Sequence, residues 1–110
     1  MIGFNSENAA EIIDYVTPDL TYEMQMAFDK HGPVTSDPVR GMANLAEELG
    51  EATTEALDAT RHLQPEAPAV FKLGCLHRMV GELNQIAAYA IMLRCSMEAE
   101  MVKLRRQGGQ

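Results

Sequence analysis

Apolar residues recur three and four positions apart along most of the chain, the pattern that predicts amphipathic helices. Four helices follow from this pattern and from the residues that begin and end helices. The first is predicted over about 7–16, with Ser6 as its N-cap. The second covers about 17–31, where Thr17 caps and Pro18 takes the first helical position. Gly32 and Pro33 then end it.

The third predicted helix begins at Asp37 and Pro38 and continues to about Leu63, where the segment 64–68 (QPEAP) breaks it. The last runs from near Ala69 to about Arg106, which is long for a globular helix, so we expect part of it to extend beyond the core or into a partner subunit. The pattern therefore predicts a single all-α domain over 1–110. We expect a bundle of about four helices, with the N-terminal helix within 1–17, a long C-terminal helix and a frayed tail at 107–110.

Composition supports packed helices and narrows the classes of partner. The hydrophobic fraction is 46%, which excludes disorder, and a chain with eight Met, three Phe and no Trp suits helices better than a β-sandwich. No apolar run approaches the ~18 residues that span a bilayer. The N-terminus lacks the features of a signal peptide, so we expect a cytoplasmic protein that does not enter membranes. A net charge of -7 without a basic face argues against duplex nucleic acid.

The two cysteines fall on the last predicted helix. At a rise of about 1.5 Å per residue, Cys75 and Cys95 would lie ~30 Å apart, which is too far for a disulfide. We expect two buried free thiols.

Two clusters of oxygen-bearing side chains carry the candidate chemistry. Glu47, Glu48 and Glu51 lie in the third helix, and Glu82 and Gln85 lie in the last. Side chains three or four positions apart on a helix face the same way. Two such helices packed side by side would form an oxygen cage for a hard divalent cation.

Each cluster also has an ordinary explanation. The third helix can be amphipathic with a solvated acidic face, although Glu48 lies nearest to its apolar side, beside Ala52 and Ala59. The apolar side comprises Met42, Leu45, Leu49, Ala56, Thr60 and Leu63. On the last helix, Glu82 lies at the edge of an apolar face and either pairs with Arg78 one turn earlier or binds a metal. That face comprises Leu76, Met79, Leu83, Ile86, Ala90, Leu93, Met97 and Met101.

The order of these segments resembles the MazG-like, all-α nucleoside triphosphate pyrophosphohydrolases, whose signature is EExxE followed by ExxD. More narrowly, it is similar to a phage- and bacterium-associated MazG-like subgroup. The segments are QMAFDKHG at 25–32, LAEELGE at 45–51 and ELNQIAA at 82–88. The resemblance covers about 22–93.

The resemblance implies a Mg²⁺-dependent enzyme that converts a nucleoside triphosphate to a monophosphate and pyrophosphate, in a house-cleaning role. The metal ligands would be Glu48, Glu51, Glu82 and Gln85. Glu47 would be catalytic and would hold a second metal or orient the attacking water. Lys30 or Arg78 would contact phosphate, and the base would contact His31, Phe28 or Tyr89.

Assembly and activity carry further expectations. The long last helix and its methionine-rich stripe predict a homodimer or a dimer of dimers. Gln85 stands where the family has Asp, and His31 stands where the subgroup often has Trp. An amide oxygen can bind a metal but brings no charge. Two alternatives therefore stay open: a catalytically impaired relative that binds nucleotide, and a helical interaction module without a ligand.

Overall fold

The computed structural model describes residues 7–62, 66 and 68–109, with the side chains of 61 and 62 outside this description. Three helices make up the described chain: α1 (Ala9–His31), α2 (Pro38–His62) and α3 (Ala69–Gln107). The all-α prediction is confirmed. The predicted number of four helices is wrong, because the first two predicted helices are one. No helix within the described ranges is both long enough and apolar enough to cross a membrane.

α1 passes through Pro18 without a break. The Thr17 hydroxyl donates a hydrogen bond to the carbonyl of Ile13, one turn earlier, so Thr17 is inside a helix and does not cap one. Proline removes one backbone hydrogen bond at this point. The half-buried residues Ile12, Val16, Leu20 and Met24 recur every four positions on both sides of Pro18. Their shared contact with the rest of the protein favours one continuous helix.

The start of α2 and both ends of α3 follow the predicted signals closely. The Asp37 carboxylate accepts hydrogen bonds from the backbone N–H groups of Val39, at 3.0 Å, and Arg40, at 3.3 Å. This capping satisfies donors that the first turn of a helix leaves without partners. α3 extends for 39 residues and ends one residue later than predicted. The predicted end of α2 at Leu63 lies outside the described residues, as does most of the break at 64–68.

α3 is the central element of the fold. α1 and α2 each pack against it, whereas no Cα atom of α1 lies within 8 Å of a Cα atom of α2. α2 runs antiparallel to α3, since Gly41 lies beside Leu93 and, at the other end, Glu55 lies beside Arg78. Gly41 is buried, and a Cβ at this position would overlap the Cδ1 of Leu93. The absence of a side chain there lets the two helices approach closely.

The chain is elongated and leaves much apolar surface open. Its radius of gyration is 17.6 Å, against about 13 Å for a compact domain of this length. The fully buried apolar residues among those described are Ala59, Cys75, Ala88 and Leu93. Several side chains that the sequence assigns to inner faces are exposed: Met42, Leu49, Leu76, Leu83 and Met101. Both cysteines are free, as predicted, but Cys95 is exposed and only Cys75 is buried.

Candidate functional site

Three carboxylates meet where α2 packs against α3. Glu48, Glu51 and Glu82 each offer one carboxylate oxygen, and these oxygens lie within 4.8 Å of one another. Glu48 belongs to the side of α2 that faces α3, which recurs every three or four residues. This side comprises Gly41, Leu45, Glu48, Ala52, Glu55 and Ala59. The acidic residues are therefore not confined to a solvated face.

The environment of Glu48 and Glu82 is unfavourable for charged carboxylates. Glu48 and Glu82 are half-buried, and the Oε2 atom of each is shielded from solvent with no hydrogen-bond partner in the described part of the chain. Burial raises the pKa of Glu48, and the negative charges of Glu51, Glu82 and Glu47 raise it further. Shielded like charges destabilise a fold unless a cation or protons compensate them.

Arg78 does not supply that compensation. Its Nε donates to Glu55 Oε2 at 3.1 Å, and its Nη2 donates to Cys75 Sγ at 3.3 Å. The ion pair therefore links α3 to α2, and the alternative of an intrahelical pair with Glu82 is wrong. The resemblance implies that Arg78 contacts phosphate. Arg78 does not line the groove between α1 and α2 that is described below.

A groove of about 660 Å³ lies between α1 and α2, with α3 as its floor. It exists because α1 and α2 both pack on α3 with their own backbones held apart. The acidic end of the groove is lined by Glu23, Glu47, Glu48 and Gln85. The opposite end, here called the loop end, is closed by Gly32, Pro33, Val34 and Thr35, with Lys30, His31 and Arg40 around it. Its volume is within the range of small-molecule sites.

The structure brings most of the predicted site residues to this groove. Glu47, Glu48 and Gln85 lie at its acidic end, and Lys30, His31 and Tyr89 line it farther along. Glu51 and Glu82 complete the carboxylate triad beside Glu48. Phe28 is not part of the lining and is 52% exposed, so it is neither a core residue nor a groove residue in the single chain.

The groove residues absent from the sequence-based prediction include two polar residues of α2. Arg40 and Asn44 line the α2 wall. The Asn44 amide donates a hydrogen bond to the Tyr89 hydroxyl oxygen at 3.1 Å, which links α2 to α3. Arg40, Asn44 and Glu47 are separated by four and three positions, so helical spacing places them on one side of α2. That spacing is a signal in the sequence that could have identified both residues.

The groove has opposite charges at its two ends. Among its lining residues the carboxylates lie at the acidic end, and Lys30 and Arg40 lie near the loop end. Arg40 precedes Glu48 by eight residues, or about 12 Å along the helix axis. The groove can therefore hold a ligand that brings a cation to one end and hydrogen-bond acceptors to the other.

Comparison with protein-family models, with curated proteins and with solved structures finds no match to this chain. Function is therefore inferred from the side chains of the triad and the groove themselves.

Proposed function

We propose that this chain is a MazG-like, Mg²⁺-dependent nucleoside triphosphate pyrophosphohydrolase. One observation carries the proposal: Glu48, Glu51 and Glu82 converge within 4.8 Å beside a groove of suitable size. Two of their oxygens are shielded and have no hydrogen-bond partner among the described residues. The donor set fits a hard cation, because carboxylate and carbonyl oxygens are the ligands that Mg²⁺ takes in proteins. A divalent cation would also remove the charge repulsion around Glu48.

Each residue of the site has a role in this proposal. Glu48, Glu51 and Glu82 hold the ion, and Gln85 presents an amide oxygen one turn after Glu82. When bound, Mg²⁺ would neutralise phosphate charge and favour ionisation of a water. Glu47 is exposed at the acidic end of the groove, where its carboxylate can accept a proton from the attacking water.

The charges of the groove favour one direction for the proposed substrate. The triphosphate lies at the acidic end, beside the triad, and the nucleoside extends toward the loop end. The products are then a nucleoside monophosphate and pyrophosphate. A contact between Lys30 and phosphate stays a prediction, and it requires a phosphate that reaches toward the loop end, where Lys30 lies. Lys30 lines the groove on the α1 side and brings positive charge to a chain whose net charge is -7.

A second candidate is a nucleotide-binding protein without turnover. Gln85 favours it, because an amide in place of a fourth carboxylate weakens the attraction for Mg²⁺. Nucleotide binding would then stabilise the fold without release of pyrophosphate.

The proposal includes a homodimer built on an exposed apolar surface of the α2–α3 pair. This surface, here called the hairpin face, comprises Met42 and Leu49 on α2 and Leu76 and Leu83 on α3, all exposed in the single chain. Leu49 follows the inward Glu48, and Leu83 follows the inward Glu82. In antiparallel helices, residues one step after the inward positions lean to the same side of the pair.

The hairpin face lies away from the groove. Leu83 and the buried Ala88, on the floor of the groove, are five positions apart, or about 140° around α3. A second copy packed on the hairpin face by a two-fold axis would therefore cover apolar surface and leave the groove open. The elongated shape of the single chain, 64 × 32 × 24 Å, supports this arrangement.

Pyrophosphate release from a panel of nucleoside triphosphates, with Mg²⁺ or with EDTA, tests the proposed activity. We expect release that requires Mg²⁺ and is abolished in Glu82→Gln. The matched control is Glu66→Gln, since Glu66 is an exposed carboxylate in the turn before α3. Nucleotide-dependent stabilisation without release would identify the second candidate. If neither nucleotide nor Mg²⁺ affects pyrophosphate release or stability, both candidate functions are rejected and a helical interaction module is left.

A further inference from the structure

The pair formed by Asn44 and Tyr89 presents two hydrogen-bonding groups to the groove. The Asn44 amide N–H donates to the Tyr89 hydroxyl oxygen at 3.1 Å. The Tyr89 hydroxyl hydrogen is then left for another acceptor, and Asn44 Oδ1 is left to accept from another donor. A donor and an acceptor therefore lie side by side on the groove wall.

Arg40 extends this pair into a row of three. It lies one helical turn before Asn44 on the same side of α2 and also lines the groove. Its guanidinium only donates hydrogen bonds, and its side chain has no ion pair with another described residue. From Tyr89 through Asn44 to Arg40, the wall offers a donor, an acceptor and a donor.

The position of this row suits the base of a nucleotide. Asn44 lies one turn before Glu48, and Tyr89 lies one turn after Gln85, which is about 6 Å from the acidic end along each helix. If the triphosphate lies beside the triad, the sugar spans this distance and the base lies against Tyr89, Asn44 and Arg40. The inference rests on the proposed function, because it takes the position of the triphosphate from it.

We propose that the row selects nucleotides whose base is a 2,4-dioxopyrimidine, uracil or thymine. The imide edge of these bases has an acceptor, a donor and an acceptor in order: two carbonyl oxygens with a ring N–H between them. Tyr89 donates to one carbonyl, Asn44 accepts from the ring N–H, and Arg40 donates to the other carbonyl. Cytosine has an amino group in place of one carbonyl, so it meets a donor with a donor and leaves groups unpaired.

Binding of non-hydrolysable α,β-imido analogues of dUTP and dCTP, measured by calorimetry with Mg²⁺, tests this selection. We expect the wild-type protein to bind the uracil analogue about tenfold more tightly, the effect of one well-formed hydrogen bond. Tyr89→Phe or Arg40→Gln, whichever removes the donor that faces the carbonyl absent from cytosine, should reduce this ratio severalfold, and the other variant should weaken both analogues alike. The matched control is Tyr22→Phe, because Tyr22 is exposed on α1 and outside the groove lining.

Arg40→Gln keeps the test informative if Tyr89→Phe unfolds the protein, since Arg40 is exposed. Equal affinity for the two analogues in the wild type would overturn the selection, and so would a ratio that neither variant changes. The binding ratio does not depend on turnover. A uracil preference without pyrophosphate release supports the base selection and rejects the hydrolase. Pyrophosphate release without a base preference supports the hydrolase and rejects the base selection.

Discussion

Glu48 on α2 and Glu82 on α3 face each other across the contact between the two helices, and each carries a shielded Oε2 atom without a partner among the described residues. Two carboxylates in this relationship destabilise the fold by desolvation and by repulsion. The same relationship is what a divalent cation requires. Removal of one of these charges should therefore stabilise the fold without divalent cations and weaken the binding of a cation. Both effects can be measured.

Glu48→Gln should reduce the dependence of stability on pH. The pKa of Glu48 is raised above its ordinary value of 4.5, so the folded state binds this proton more tightly than the unfolded state does. Without divalent cations, the free energy of unfolding should fall as pH rises from 4.5 through the raised pKa. Glutamine cannot ionise and should remove this contribution. Urea unfolding in EDTA at about pH 5 and about pH 8 measures it.

Glu66→Gln serves as the control for this measurement, since it removes one exposed carboxylate away from the triad. The control should keep the pH dependence of the wild type. An equal pH dependence in Glu48→Gln and the wild type would show that burial and the neighbouring carboxylates do not raise the pKa of Glu48.

Glu82→Gln should raise thermal stability in EDTA while it abolishes pyrophosphate release. Removal of one of the clustered charges should stabilise the fold by roughly 1 kcal/mol, or about 4 °C in Tm. In Mg²⁺ the difference should shrink or reverse, because the wild type gains stability from the bound ion and the variant does not. Calorimetry of both proteins in each buffer measures this. A lower Tm for the variant in EDTA would contradict the prediction.

Gln85→Asp should strengthen Mg²⁺ binding. Gln85 is exposed at the acidic end of the groove, one turn after Glu82, so Asp can enter without repacking. A carboxylate attracts a hard cation more strongly than an amide oxygen does, and we expect an affinity gain of about tenfold. Calorimetric titration with Mg²⁺ measures this gain. Gln85→Asn, which shortens the side chain without adding charge, separates the effect of charge from that of length.

Leu83→Gln should weaken self-association without unfolding the chain. Leu83 is 55% exposed in the single chain and lies on the hairpin face, so a polar side chain there disturbs a dimer more than a monomer. Sedimentation of the wild type at micromolar concentration should give a dimer, and the variant should shift toward monomer. Ile13→Gln is the control, because Ile13 is similarly exposed but lies on α1. A monomeric wild type would reject the dimer.

Gly41→Ala should destabilise the protein although alanine favours helix. Helix propensity gains about 1 kcal/mol, but the new methyl group would overlap the side chain of the buried Leu93. Overpacking of this kind typically costs about 1–3 kcal/mol, so the net change should be a loss. Chemical unfolding of Gly41→Ala, Leu93→Ala and the double variant forms a cycle that isolates the contact. Strict additivity would show that the two residues do not touch.

Local signals in the sequence determined much of this protein. Asp37 and Pro38 specified the start of α2, because a carboxylate that caps a helix acts on backbone groups two and three residues away. The spacing of Glu48 and Glu51 specified that they share one side of α2. These features depend on neighbours within one or two turns, so they can be predicted without knowledge of the packing.

Tertiary contacts decided the rest. Thr17 and Pro18 have the local pattern of a helix start, yet they lie within α1, whose half-buried stripe continues across them. Arg78 has Glu82 within reach on its own helix, yet it pairs with Glu55 on α2. The groove that gathers Arg40, Asn44 and Tyr89 exists because α1 and α2 both pack on α3 with their own backbones held apart. Each outcome depends on which helix faces meet and how closely, and no short-range pattern contains that information.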